Sequence, residues 1–497
     1  MQCRACVRNQ ERPVGHSLPQ RVHLREDARD AAEGDRRRRQ DGVRTRWHLR
    51  EERPVDVGGC RRAAPAHFGR HRRRTERLNP PGEPLEEHMP ELLDIAQYAV
   101  ETAIAQGAQF ADAYCAEVRE VGVGVENTSL RDSDVVRDYG IGVRAYYNGG
   151  MGVASAQSLL RGDVEECARN AAILAKTAHP DPDFVELPAP QPVPQVDELF
   201  DDELAGMDVA EVVQWCTAAI DEARAVDPDV RLEGGADLVI GTSALASSTG
   251  VGQQRSGTSA QISFEAVVTT PDGDVGVYFE YDAARRLADF VPAGIAEKAT
   301  REALRYLGCR HIRTARLPLV LGPLAASSLL FSTVSAANAE SIQRNRSFLA
   351  GREGERIASE LLTIRECPLV PAGMASASYD GEGMPKVERV LVDRGVLTTY
   401  LHNSYTANKA RVPNTANARR HGYHGSVGIG FGNAQVGLGV RTEAELIAEV
   451  DEGIYIAWGG LQPEQASGDI SATVDFGFKI EKGELAYPIS TTMIGSD

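Results

Sequence analysis

From Leu92 onward the apolar residues fall three and four apart: Leu92, Leu93, Ile95, Ala96, Ala99, Val100 and Ala103. That spacing lines one face of a helix, and Gly107 is placed to end it. The pattern then becomes alternation. FADAYCAEVRE, VGVGVENTSL and DYGIGVRAYYNGGMGVASAQ put apolar or small residues at every second position, the period of a strand, and Asn148-Gly149-Gly150 is a hairpin turn signal. Asp163 to Ala178 returns to helical spacing. A proline-rich stretch over 186–199 reads as a stiff, extended link. Beyond it Asp208 to Val226 is helical, alternation resumes from Arg231 to Arg286, and Ile295 to Gly308 is helical again. The order helix, strands, helix thus occurs twice, over 90–178 and 208–308.

The last third differs. ARLPLVLGP (Ala315 to Pro323) reads as a strand and leads to LLFSTVSAANAE (Leu329 to Glu340), apolar or small at nearly every position with no ionisable group before Glu340. This predicts a buried helix, and nothing in it can hold a metal or move a proton. Glycine-rich alternating runs follow, with hairpins at Asp393-Arg394-Gly395 and at Glu481 to Glu484. Between them lies a loop region, RVPNTANARRHGYHGSVGIGFGNAQVGLG. The expected architecture is α+β: an N-terminal helix and antiparallel-sheet domain, then a C-terminal domain with a large curved antiparallel sheet. Such a sheet can offer an edge to an extended peptide.

Charge divides the chain unevenly. Of 54 Lys+Arg and 71 Asp+Glu, residues 1–88 hold 21 Arg, no Lys and 14 acids, a local +7; the other 33 basic and 57 acidic residues leave −24 for the remainder. The first segment has no apolar period and is expected to be disordered. Its all-arginine usage reads as an extension outside the native protein rather than a nucleic-acid arm, with the ordinary sequence starting at Met89. The expected divisions are 1–88, 89–308 and 309–497. The acidic body disfavours nucleic acid as a partner. No run of about 18 apolar residues predicts a membrane span. The scattered cysteines and the lack of a leader-like segment predict free thiols in a cytoplasmic protein.

Candidate chemistry is sparse. Asp380 and Glu382 in YDGEG are two apart and can do acid–base work if they share a strand face; a tight turn with solvated acids is the favoured reading. Asn417, Arg419 and Arg420 in ANARR can grip a carboxylate or carbonyls, or form surface ion pairs. Ser467 and Gly468 open a strand that can pair with an extended peptide or lie inside a sheet. His421 and His424 are the closest histidine pair beyond residue 88, a weak metal candidate in a glycine-rich loop. Ser247 and Ser248 in ASSTGV lack a nucleophile elbow, and no phosphate-loop spacing occurs.

One ordered series is more specific. YDGEG, VERVLVDRGVLTTYLHNSYTANKA, NTANARR, GGLQPEQASGDISATVDFGFKIEKGELAYPIS and TTMIG, with the earlier GIGVRAYYNGGMGVASA, together resemble the TldD/PmbA family, from about residue 90 to the end. TldD-type members are zinc metallopeptidases with a HExxxH motif on the helix after the strand that matches RLPLVLGP. Two histidines hold the metal and the glutamate takes a proton from the attacking water. The resemblance lays those three positions on Phe331, Ser332 and Ala336. It therefore implies the TldE/PmbA-like branch: no catalytic residues and no metal of its own, paired with a TldD-type subunit that carries the zinc. The pair would process unfolded or flexible peptides, with YDGEG near the substrate groove. Family chains continue past TTMIG with further strands, including a cysteine ligand in the TldD type, so the C-terminal domain is expected to be truncated. Two other readings stand beside this one. One is an autonomous hydrolase using His421, His424 and Asp380; the other is a non-enzymatic peptide-binding modulator.

Overall fold

The computed structural model describes residues 3–9, 91–490 and 492–496, all within one compact unit. After strand β1 (Cys3–Asn9) come helix α1 (Leu92–Ala105), strands β2 (Phe110–Glu126), β3 (Ser129–Tyr147) and β4 (Gly150–Ala156), and helix α2 (Arg161–Thr177). Beyond the proline-rich link lie α3 (Asp202–Gly206), α4 (Val209–Val226), strands β5 (Arg231–Ser247), β6 (Gly252–Thr269) and β7 (Val275–Ala284), and α5 (Ile295–Arg305). The last third holds β8 (Ala315–Leu321), α6 (Pro323–Ala336), α7 (Ala339–Gln343), β9 (Ile364–Glu366), β10 (Arg389–Asp393), β11 (Val396–Leu397) and α8 (Ser404–Ala410). It continues with β12 (Ala418–Arg420), β13 (Val427–Ile429), β14 (Ala434–Val436), α9 (Glu443–Ala448), β15 (Glu452–Gly459), β16 (Ile470–Glu481), β17 (Glu484–Pro488) and β18 (Thr492–Ser496).

The two helix–strands–helix units merge into one antiparallel sheet of order β4-β3-β2-β5-β6-β7. The order is palindromic because β2 of the first unit pairs along most of its length with β5 of the second. Alternation sorts the side chains to two faces. Ala111, Ala113, Cys115, Ile141, Val143, Ala244 and Ala246 pack against α1 and α2. Farther along the same face, Val121, Val123, Leu238, Ile262 and Phe264 pack against α4 and α5. Asp208 caps α4 through a reciprocal capping box with Glu211, which fixes where that helix starts.

The curved C-terminal sheet has the order β15-β8-β1-β18-β16-β17, and it curls until β15 and β16 also pair, so that five of its strands form a ring. All its pairs are antiparallel except β8 with β15, because the chain runs through α6 and the intervening loops before returning alongside. A core of Leu317, Leu319, Ile454, Ile456, Val474 and Ile494 fills it. The expectation of disorder over 1–88 is corrected for Cys3–Asn9. This strand pairs with β8 on one side and β18 on the other, satisfying two edges that would otherwise leave unpaired backbone groups. The rest of that segment lies outside the described residues. An aromatic cluster of Tyr278, Phe279, Tyr306, Phe476 and Phe478 joins the edge strand β7 to the ring.

Candidate functional site

The helix α6 follows β8 through Gly322, with Pro323 in its first turn. It was expected to be buried, and the structure buries it only in part. Of its 14 residues Ala325, Val334 and Ala336 are buried, Pro323, Ser327 and Phe331 are exposed, and the others are half-buried, with Leu329 and Leu330 packed against neighbouring cores. Five of the 14 residues carry hydroxyls, Ser327, Ser328, Ser332, Thr333 and Ser335, and Ser332 and Thr333 turn theirs back to carbonyls of their own helix, so the helix is less apolar than its small residues suggest. Phe331 is 58% exposed and packs its ring 5.1 Å from that of Phe431. Ser332 donates its hydroxyl to the Ser328 carbonyl one turn back, at 3.1 Å. Ala336 is 1% exposed, within the cluster built from Leu349, Ile364, Leu391 and Leu401. Phe331 thus points out of the protein and Ala336 into its core.

Beside Phe431 lies a buried polar node on Glu366, at the end of β9. Its Oε1 accepts from Asn417 Nδ2 and from the Gly432 amide, both at 2.9 Å, and from Lys386 Nζ at 3.4 Å. Arg389 stands 3.6 Å from the other oxygen and donates to the Thr415 carbonyl and to Asn417 Oδ1. Asn417, 0% exposed, therefore ties three loops together and has no face toward solvent. His402 lies nearby, and burial holds its pKa below the ordinary value.

The second face of the N-terminal sheet meets the C-terminal third through a buried set of charges. Asp112 on β2 and Arg144 on β3 are direct cross-strand partners, and Arg144 Nε donates to both carboxylate oxygens at 3.1 and 3.0 Å. Arg420 reaches in from β12, donating to Asp112 at 2.9 Å and to the Gly381 carbonyl at 2.7 Å. Glu382 lies 3.5 Å from Arg144 and accepts from the Ser404 amide at 2.9 Å. Burial alone would raise the Asp112 pKa, but the two guanidiniums outweigh it and hold the carboxyl below its ordinary range. Asp380 is spent on backbone. It accepts from the Glu382, Met384 and Ala418 amides at 2.8, 3.0 and 2.9 Å, and burial followed by Glu382 pushes its pKa up to about 6. YDGEG is thus a turn, as expected, but with both acids buried rather than solvated, because cationic groups and amides replace the water.

The same face accepts the loop after Arg420. Tyr423 is buried and donates its hydroxyl to Asp138 at 2.8 Å. A Cβ at Gly142 would stand 2.0 Å from the Tyr423 carbonyl oxygen, so the loop can dock only because β3 lacks a side chain there. His421 and His424 flank it and are both exposed, while Asp380 turns its oxygens to amides. Arg419 is exposed as well. Ser467 and Gly468 lie before β16, in a tight turn. Glu464 accepts from the Ser467 amide, and Gly468 at φ 84° packs against the Phe348 ring. The structure therefore brings Asp380, Glu382 and Arg420 together and leaves Arg419, Ser467, His421 and His424 outside. Sequence reasoning missed Asp112, Arg144 and Glu366. The signal for the first two was a charge at an alternating position among small and apolar residues, in FADAY and in GVRAY.

Comparison with known proteins agrees with this architecture. Profiles of the PmbA/TldA metallopeptidase match as domain 1 over 111–175, as the central domain over 202–307 and as the C-terminal domain over 314–497. Metalloprotease PmbA of Escherichia coli O157:H7 is 26% identical over 420 residues, 81% of this chain and 88% of that protein. A metalloprotease TldD homolog of Haemophilus influenzae is 31% identical over 204 residues, 40% of this chain and 42% of its own. The crystal structure of TldE from Thermococcus kodakarensis superimposes with a TM-score of 0.74 at 24% identity, covering 81% of this chain and 91% of that one. The chain belongs to the PmbA/TldD metallopeptidase family.

A metal implied by that family name finds no fitting donors on α6. Phenyl and methyl groups have no lone pair for a cation, and the helix's one unpartnered buried hydroxyl, Ser328 Oγ, is a single neutral donor. Among the described residues no group of three or more His, Cys, Asp or Glu gathers elsewhere.

Proposed function

We propose that this chain is a TldE/PmbA-like, non-catalytic subunit of a zinc metallopeptidase complex acting on unfolded or flexible peptides. The metal and its proton-accepting glutamate belong to a TldD-type partner with HExxxH intact. One observation carries the reading: the positions the motif would occupy are Phe331, Ser332 and Ala336, one facing solvent and one the core. The metalloprotease names of its relatives support the reaction class. A body of −24 over residues 89–497 favours peptide over nucleic acid and suits a cytoplasmic chamber wall. In this reading Asp380, Glu382, Asn417 and Arg420 shape the groove from below. Arg419, Ser467 and the exposed Phe331 on α6 are the groups a peptide would touch.

The test uses the purified full chain, alone and mixed with a TldD-type subunit. The expected result is no stoichiometric zinc by metal analysis, no cleavage of an unstructured peptide by the chain alone, and cleavage above the partner's own level on mixing. One tight zinc per chain, or cleavage by the chain alone, overturns the proposal.

A further inference from the structure

The charges buried between the N-terminal sheet and the C-terminal third do not balance. Asp112, Glu382 and Asp380 are carboxylates, and Arg144 and Arg420 are the guanidiniums among them. Arg144 pairs with Asp112 and Glu382, and Arg420 pairs with Asp112. Asp380 is buried and stands two residues from Glu382, yet among the described residues it has no ion pair. It accepts instead from the Glu382, Met384 and Ala418 amides. A buried carboxylate without a countercharge takes up a proton more readily than a solvated one, because its neutral form costs less to keep from water. Burial and then Glu382 outweigh the three amides, in keeping with a pKa of about 6.

The place of Asp380 in the fold decides what that proton controls. One oxygen closes its own turn through Glu382 and Met384, and the other holds Ala418, where β12 begins. The Gly381 amide donates to the Ala418 carbonyl at 2.8 Å, and Arg420 donates to the Gly381 carbonyl. Glu382 holds the first turn of α8 through Ser404. Segment 411–433, with Arg419, Tyr423 and Phe431, is thus fastened to the sheet beside this turn. The other titratable groups around it act differently. Tyr146 on β3 and Tyr379 are phenols that burial pushes up to about 12. Arg255 on β6 donates to the Tyr379 carbonyl, and the Arg420 guanidinium lies over the Tyr114 ring of β2. Tyr405 and Lys409 on α8 pair with Asp181 and Asp183. His402, just before α8, has its pKa lowered by burial, so its contribution has the opposite sign and is lost as pH falls. His421 and His424 are exposed.

We propose that Asp380 is a proton-operated latch. Protonated, it leaves two carboxylates for two guanidiniums, and segment 411–433 closes on the N-terminal sheet. When the proton passes to solvent, the surplus negative charge beside Glu382 loosens that segment. The folded pKa lies above the ordinary 3.8, so the latch is tightest at low pH and slackens as pH rises through about 6. The inference stands on the charges at this interface and is independent of the zinc assignment.

Hydrogen exchange of the full chain between pH 5 and 8 tests it, with each rate divided by the intrinsic chemical rate at that pH. The expected result is an opening of 411–433 about tenfold greater at pH 8 than at pH 5, with α4 unchanged. D380N should lose this response, and H421Q/H424Q should keep it. Where D380N does not fold, E382Q takes its place, since it too leaves two carboxylates for two guanidiniums, and it should also lose the response. A wild-type change below twofold overturns the proposal, as does an equal change in α4. It is equally overturned by a response that survives in the carboxylate variant or disappears in H421Q/H424Q.

Discussion

The two faces of the N-terminal sheet hold their neighbours by opposite means. One is dry: Phe264, Leu238, Ile262 and Ala113 meet helices through apolar contact alone. The other meets the C-terminal third through Asp112, Arg144, Arg420, Glu382 and the docked Tyr423. Apolar contact tolerates volume-conserving change, because dispersion and hydration have no direction. A buried charge cluster does not, because removing one member strands the others in a medium that cannot solvate them. The dry face thus builds the domain, and the charged face sets how the two parts of the molecule are placed against each other.

The largest expected effects come from breaking each face once and attempting rescue. Phe264→Ala and Arg144→Ala should each cost about 3–5 kcal/mol in urea unfolding. Phe264→Leu should recover most of the loss. Arg144→Lys should recover little, since an ammonium cannot fork to both oxygens of Asp112. If Lys restores stability as well as Leu does, the contrast fails.

Next in size is Gly142→Ala. The added methyl would occupy the space of the Tyr423 carbonyl, and overpacking of this kind costs about 1–3 kcal/mol. Limited proteolysis should show faster cutting in 411–433 with the helix-covered face unchanged.

The third prediction concerns pH. Asp380 has a folded pKa of about 6 against an ordinary 3.8, raised by burial and then by Glu382. The folded chain takes up this proton before the unfolded chain does. Its contribution to stability therefore grows as pH falls from about 6 toward about 4, and shrinks as pH rises. Asp112 has the opposite sign: its contribution is present above 3.8 and is lost as pH falls below that. Asp380→Asn should flatten the slope of stability between pH 4 and 6 in denaturant titrations and leave the acid limb below it. An unchanged slope would place the titrating group elsewhere.

The smallest effect is expected at α6, where the motif positions carry no set of metal-binding groups. Ser332→Ala removes a half-buried hydroxyl that only bonds its own helix, so stability should move by no more than about 0.5 kcal/mol.

Much of the fold was legible because its signals are local. The 3.6 period marked α1, α2, α4 and α5, and alternation marked the strands between them. The union of both units into one sheet was not legible, since the β2 and β5 pairing joins residues more than a hundred positions apart and no local pattern encodes it. The site was less legible still. Asp380 and Glu382 read as solvated because a short acidic turn looks the same whether water or Arg144 lies beside it. Arg419 and Arg420 are adjacent in sequence, yet one is exposed and the other is paired to Asp112, a difference set by strand register and partner alone. The vacant motif on α6 was readable only against the family series.

The contact between Asp112 and Arg420 spans 308 residues of chain. At synthesis rates of about 5–20 residues per second, roughly 15–60 s separate the appearance of the two partners. Through that interval the nascent sheet presents an unfinished surface, with Arg144 as the only countercharge that Asp112 can reach from its own strands. A polypeptide assembled in this order depends on something, whether a chaperone or its own partial structure, to shield that surface until the final third emerges.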